Sequence, residues 1–232
     1  MAQFDTSAFT KTPNVKSSSF HQLSSRFPDP LECLAAHLML ECSEVLAGIK
    51  PANLLSLVNR PRSCGRNLYQ LWQTHYNELS TRLADINFKV LQTRDRSMLL
   101  FCFNPELLER HLSHSGIRVI LARAGYDTTQ DSIALLAEMC SRIENSDAFP
   151  HEIGLFIGYP AKDVAAFMGM VNLPYACQGP WKIYGEPSQS LCLANSFRHT
   201  RHKMGTQLSI CSSPFDCLGR SEASKSFFLP AE

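Results

Sequence analysis

The sequence predicts one α/β or α+β domain, built on a small mixed β-sheet of about four to five strands covered by helices. Three observations predict it. Apolar residues recur at helical spacing through several long segments, the mark of amphipathic helices. In short segments they alternate or run together, as strands do. The two kinds of segment interleave, and strands separated by helices need crossover connections beneath a helical cover. A chain of 232 residues with 44% hydrophobic content holds enough for one sizeable core and loosely attached ends.

Residues 1–29 are rich in Ser and Thr, hold Pro13 and Pro28, and show no hydrophobic period, so a disordered or loosely attached tail is expected there. The globular domain is expected over 30–204. Asp29-Pro30 reads as an N-cap with proline at the first helical position. Leu31, Leu34, Ala35, Leu38, Cys42 and Val45 then keep helical spacing until Gly48 closes the helix. From Gly48 to Leu54 the period is interrupted, because the residue before Pro51 resists the α region. A polar break from Asn59 to Gly65 leads to a long helix from about Arg66 to Ala84, striped by Leu68, Leu71, Trp72, His75, Leu79 and Leu83.

The period then becomes two. Ile86, Phe88 and Val90 alternate with polar residues, Thr93 to Arg96 is a turn, and Met98 to Phe103 is a continuous apolar run, together a hairpin. Asn104-Pro105 restarts a helix that Gly116 breaks, and Ile117 to Ala124 reads as a helix stopped by Gly125. Thr128 or Thr129 is expected to cap another helix, striped by Ile133, Leu136, Ala137, Cys140 and Ile143. Ile153 to Ile157 reads as a short buried strand, followed by a helix from about Pro160 to Met170. Trp181 to Tyr184 is a brief strand, and a last helix runs from Pro187 to about His202. An irregular tail is expected over 205–232.

Charge and cysteine usage exclude several classes. Lys and Arg total 22 against 21 acidic residues, so the net charge is +1 and there is no electrostatic drive toward nucleic acid or anionic membrane. No apolar run reaches the length of about 18 residues that a spanning helix needs, and the polar N-terminus lacks the core of a signal peptide. A cytoplasmic location follows as the expectation. The nine cysteines are odd in number and scattered, and none forms a Cys-x-x-Cys pair. Reduced thiols without a structural zinc site are therefore expected.

Four stretches carry a resemblance to a known family. They are Cys42-Ser43-Glu44-Val45-Leu46-Ala47-Gly48-Ile49-Lys50-Pro51-Ala52-Asn53-Leu54, Arg123-Ala124-Gly125-Tyr126, the run from Phe149 to Pro160 with Asp163-Val164, and Trp181-Lys182-Ile183-Tyr184-Gly185. The chain resembles, from about Leu31 to His202, the bacterial domain-of-unknown-function 3793 family found mainly in anaerobes. His151-Glu152-Ile153-Gly154 and Trp181-Lys182-Ile183-Tyr184 are its specific segments. The chain departs from the family pattern at Glu44-Val45, where a Pro-Thr pair is usual, and at Phe103-Asn104, where Tyr-Arg is common. The resemblance implies a shared fold and a set of candidate residues, and an anaerobic origin would keep the thiols reduced.

Each candidate has a functional and a plain structural reading. Cys42, near the end of the first long helix, is either a buried small hydrophobe or a thiolate nucleophile helped by Lys50. Lys50 and Asn53 flank a stiff proline loop; Asn53 either caps the following Leu-rich segment or opens an anion seat at a helix start. His151 is a candidate general base and Glu152 its partner, unless one of them merely fixes the loop at Pro150. Tyr159 and Asp163, at the junction after Gly158, are candidate ligand or cap residues. The spacing of Gly154 and Gly158 matches no nucleotide fingerprint. Trp181, Lys182 and Tyr184 either pack the core or hold a planar ligand such as a flavin or tetrapyrrole. His111 with His114, and His199 with His202, have metal-ligand spacing but no third ligand.

Two functions compete. One is a small-ligand-binding or thiol-dependent enzyme, with catalytic candidates Cys42, Lys50, His151 and Glu152 and ligand candidates Asn53, Tyr159, Asp163, Trp181, Lys182 and Tyr184. It requires Cys42, Lys50 and His151 to converge. The other is a non-catalytic adaptor or regulatory protein whose Trp181 region meets a protein partner.

Overall fold

In the three-stranded sheet at the centre of the molecule, Met98, Leu100 and Cys102 pack toward one helical layer, and Leu99, Phe101 and Phe103 toward the other. The computed structural model describes residues 20–62, 64–146 and 148–218. Strand β1 (Ala52–Val58) and strand β2 (Asn87–Arg94) both pair antiparallel with β3 (Ser97–Phe103), in the order β1-β3-β2. Because both faces of β3 are covered, its sequence is a continuous apolar run and not an alternation.

The first layer is formed by α1 (Phe20–Arg26), α2 (Pro30–Glu41), the short α3 (Ser43–Leu46) and α4 (Leu68–Arg82). The last helix, α10 (Ser188–Ile210), lies against α2 and α3 and adds Leu208 to this core. The second layer contains α5 (Pro105–Leu112), α6 (Ser115–Arg123), α7 (Ser132–Asn145), α8 (Ile153–Phe156) and α9 (Ala161–Phe167). A separate antiparallel pair, β4 (Tyr175–Gln178) and β5 (Lys182–Tyr184), packs Trp181 and Ile183 against Ala194 and Phe197 of α10.

The class is α+β. Among the described residues five strands form two antiparallel sheets, so the single mixed sheet with crossover strands is corrected. Local signals hold well. Asp29 caps α2 by accepting from the Glu32 N–H at 2.9 Å, and Asn67 and Asn104 cap α4 and α5 in the same way. The hairpin stands, and Gly125 closes α6 with φ of 86°.

Other expectations fail for identifiable reasons. The segment after Pro51 is strand β1, not a Leu-rich segment capped by Asn53. Both its faces are partly covered, so its apolar residues do not alternate cleanly. Ile153–Ile157 is a helical turn, not a strand; a short apolar run alone does not distinguish the two. Asp131, not Thr128 or Thr129, caps α7, which leaves Ile133 56% exposed and Met139 on the buried stripe.

The expected tails are also shorter. Leu23 and Phe27 are buried, as are Leu208, Cys211 and Cys217. The Arg26 guanidinium ties these ends together, donating to the Cys211 carbonyl at 2.6 Å and the Leu208 carbonyl at 3.2 Å. Residues 1–19 and 219–232 of those tails lie outside the described residues. Among the described residues no helix is long and apolar enough to cross a membrane.

Candidate functional site

Helix α2 ends at Glu41 because Cys42 leaves the helical region, with φ of −106° and ψ of 20°. Its last carbonyls would otherwise lack partners. The Asn53 side chain meets one of them, donating to the Glu41 carbonyl at 2.5 Å. The other end of the Asn53 amide accepts from Lys50 Nζ at 2.9 Å. The first strand thus hands one side chain back to the helix end and to the lysine before it. No helix begins at Asn53, so the anion seat expected from a helix start is corrected.

Lys50 is buried, with Nζ 5.7 Å from the Tyr159 ring centre and 5.3 Å from that of Phe197. Burial pushes its pKa down, and the nearby Glu44 offsets part of that. Glu44 is buried at the start of α3. Burial pushes its pKa up, with Lys50 opposing. Its Oε2 and the neighbouring Ser43 Oγ have no hydrogen-bond partner among the described residues. Glu41 beside it forms an ion pair with Arg201 of α10. Burial raises the Glu41 pKa, yet that guanidinium holds it below the usual range. Glu44, Phe197 and Arg201 are site residues that the sequence did not reveal. Glu44 stood within a recognised segment, whereas Arg201 lies 160 positions from its partner and carries no local signal.

Tyr159 closes the other side. Its ring stacks on Trp181 at 4.6 Å, and Trp181 meets Phe197 edge-on at 6.2 Å. Burial, with Glu44 adding to it, pushes the Tyr159 hydroxyl pKa up. Gly158 makes the approach possible. With φ of +81°, a Cβ there would stand 2.6 Å from Pro51 Cδ. With 6% of its surface exposed, Trp181 has no free face for a flavin or tetrapyrrole, so the expected planar-ligand seat is a packed aromatic stack.

Asp163 is a hub, 2% exposed. Its Oδ2 accepts from Trp181 Nε1 at 2.8 Å and Ser190 Oγ at 2.6 Å. Its Oδ1 accepts from the Tyr184 N–H at 2.9 Å and Lys162 Nζ at 3.0 Å. These bonds join α9, β5 and α10. Tyr184 therefore enters through its backbone, and Lys182 is exposed with Nζ 5.2 Å from the Phe167 ring centre.

The four catalytic candidates occupy three environments. Cys42 and Lys50 share one, close enough for their charges to interact. Cys42 is fully buried; a side-chain hydrogen bond with Cys102, then burial, push its pKa well above the usual value, which suits packing and not a thiolate. His151 is exposed, edge-on to Phe167 at 5.0 Å. Glu152 is buried elsewhere, accepting from the Tyr126 hydroxyl at 3.0 Å and from Arg142 Nη1 at 3.4 Å. Arg142 also donates to the Ala124 and Gly125 carbonyls and stands 3.8 Å over the Tyr126 ring. That network fixes the turn after α6.

Among the described residues, no group of three or more His, Cys, Asp or Glu could hold a metal ion. The spacing of His111 and His114 has a structural use. His111 Nε2 donates to the Leu155 carbonyl at 2.8 Å, and His114 Nδ1 accepts from the Gly116 N–H as the α6 cap.

The buried lysine–carboxylate cluster, its aromatic wall and the Asp163 hub all lie within residues 38–216, which match the family described as protein of unknown function DUF3793. The chain belongs to that family. Neither the curated proteins nor the solved structures contain a match to it.

Proposed function

We propose that the protein is a cytoplasmic small-ligand-binding protein whose site is centred on Lys50 and Glu44. Asn53 and Tyr159 complete it, and Trp181 and Asp163 hold the aromatic wall in place. The observation that carries this reading is the Glu44 carboxyl, buried with Oε2 lacking a hydrogen-bond partner among the described residues. Such an atom costs about 1–3 kcal/mol, which a ligand bringing an O–H or N–H donor would recover. Burial moves the pKa values of Glu44 and Lys50 toward each other, so the pair is also suited to exchanging a proton with that ligand. Cys42 serves as the packed floor of the site in this reading, and His151 and Glu152 stand outside it. A reducing bacterial cytoplasm, of the kind anaerobes maintain, fits nine cysteines that all carry free thiols.

Native mass spectrometry of the full chain tests the proposal. The protein as purified is expected to carry a small-molecule mass that the Glu44→Gln variant lacks. Bare-chain mass for both proteins, with no small molecule raising the melting temperature of either, would overturn it. The adaptor alternative draws support from Val171 and Tyr175, which are 39% and 56% exposed before and on β4. Its signature is a protein partner retained by wild type and lost in Tyr175→Ser at unchanged stability.

A further inference from the structure

Residues 181–184 present two faces. Trp181 and Ile183 are buried, 6% and 0% exposed, and pack inward beside the proposed ligand site. Lys182 and Tyr184 turn to the other side of the strand, toward solvent. Three contacts gather a patch around them that the Lys50 site does not use. Lys182 Nζ stands 5.2 Å from the Phe167 ring centre, and the exposed His151 ring meets the same phenyl edge-on at 5.0 Å. One phenyl ring therefore positions both an ammonium and an imidazole. Tyr184 pairs with Tyr175 of β4 and meets its ring edge-on, with the centres 6.0 Å apart. Tyr175 is 56% exposed.

This surface is open, aromatic and of one charge sign. Residues 164–185 contain no Asp or Glu, and Lys182 is their one Lys or Arg. The acids that flank the patch are engaged elsewhere. Asp163 accepts its four bonds in the interior, Glu152 is buried against Tyr126 and Arg142, and Glu186 accepts from the Ser188 N–H and hydroxyl. The patch is also rigid. The Tyr184 N–H donates to Asp163, the Tyr184 carbonyl accepts from Lys162 Nζ at 2.7 Å, and the Gly185 N–H donates to the Pro174 carbonyl at 2.8 Å. A two-stranded sheet is marginal by itself, and these bonds with the buried inner face hold this one in place. A partner therefore meets side chains that are already ordered.

We propose that this face is a platform for single-stranded nucleic acid. A base stacks on the Tyr175 ring, Tyr184 walls it on one side, and Lys182 and His151 face the phosphates. The partner must bring flat rings and negative charge together, and a nucleic-acid strand repeats that pair at every nucleotide. A duplex keeps its bases stacked on one another and offers Tyr175 no free face. A free nucleotide needs a pocket that covers most of its surface, whereas this patch lies open to solvent. The net charge of +1 gives the chain no long-range pull, so stacking carries the binding and its salt dependence is shallow.

Fluorescence anisotropy of a fluorescein-labelled oligouridylate about 12 nucleotides long, titrated with the full-length protein in low salt, tests the proposal. Saturable binding is expected, with Kd between about 1 and 100 μM. Tyr175→Ala should weaken it about 5- to 150-fold. Lys182→Gln should reduce the slope of log K against log salt by about 0.7. Both variants should keep the wild-type melting temperature, because both side chains are exposed. Glu44→Gln should bind the strand as wild type does, since this face is separate from the Lys50 site. No rise in anisotropy at about 0.1 mM protein overturns the proposal. So does binding that Tyr175→Ala leaves intact, a salt slope unchanged in Lys182→Gln, a complementary duplex that binds as tightly, or uridine monophosphate that competes as well as the strand. A polypeptide held through Tyr175 by a protein that binds no oligonucleotide makes the face a protein dock and overturns it likewise.

Discussion

The Asp163 carboxylate accepts the Trp181 indole N–H at 2.8 Å, and the same oxygen accepts the Ser190 hydroxyl at 2.6 Å. One buried acid therefore fixes a helix, a strand and the C-terminal helix together. Asp163→Asn turns an acceptor into a donor facing donors and is expected to cost about 2–4 kcal/mol in urea unfolding. The pH dependence has a definite sign. Burial raises the Asp163 pKa, but its bonds from Ser190, Tyr184, Trp181 and Lys162 hold it below the ordinary value. Its contribution is thus complete above about pH 4 and disappears as pH falls through the lowered folded value. The asparagine variant should lose that acid-side slope; an unchanged slope would show that Asp163 is not the group responsible.

Gly158→Ala should destabilise the fold by about 2 kcal/mol or more. The residue has φ of +81°, and its new methyl would meet Pro51 Cδ at 2.6 Å. Relief requires Pro51 to retreat, which drags Lys50 from between Tyr159 and Phe197. Thermal unfolding measures the loss. Wild-type stability in the variant would mean that the Pro51 contact is not tight.

Arg142→Lys is expected to cost roughly 1–3 kcal/mol despite keeping the charge. An ammonium cannot serve the Ala124 and Gly125 carbonyls together with Glu138 and Glu152. Tyr126→Phe removes only the hydroxyl bond to Glu152 and should cost about 1 kcal/mol. Equal midpoints for the lysine variant and wild type would refute a forked role for the guanidinium.

Glu44→Gln should separate binding from stability. A carboxyl whose folded pKa is raised holds its proton better when folded, so its contribution is full in acid and fades as pH rises through the folded value. Compared in ligand-free protein, removing the ionisable group should raise the unfolding free energy at about pH 8 by roughly 1 kcal/mol and with it the urea midpoint, while binding of any small molecule is lost. A lower midpoint at that pH would mean that the ionised carboxylate is well satisfied.

Elements set by neighbouring residues were readable in the sequence. Asp29-Pro30, Asn104-Pro105 and the hairpin from Ile86 to Phe103 depend on caps and periods within a few positions. Strand β1 was not, because Leu54 and Leu55 face opposite helical layers and erase the alternation. In the candidate site, the closeness of Lys50 and Asn53 follows from the stiff loop between them, and both side chains do meet. Arg201 and Phe197 arrive from a distant helix that no local pattern connects to α2. Burial misled most at the cysteines. Cys42 opened a recognised segment yet is buried beside Cys102.

The bond from Arg26 to the Cys211 carbonyl spans 185 positions, and it sets a schedule for the nascent chain. A ribosome adding about 5–20 residues per second delivers Cys211 roughly 10–40 s after Arg26. Throughout that interval Phe27 and the apolar face of α2 lack the covering residues Leu208, Cys211 and Cys217. This layer therefore stays open long after its first helices are made, and the growing polypeptide must shield that surface until Cys217 has been added.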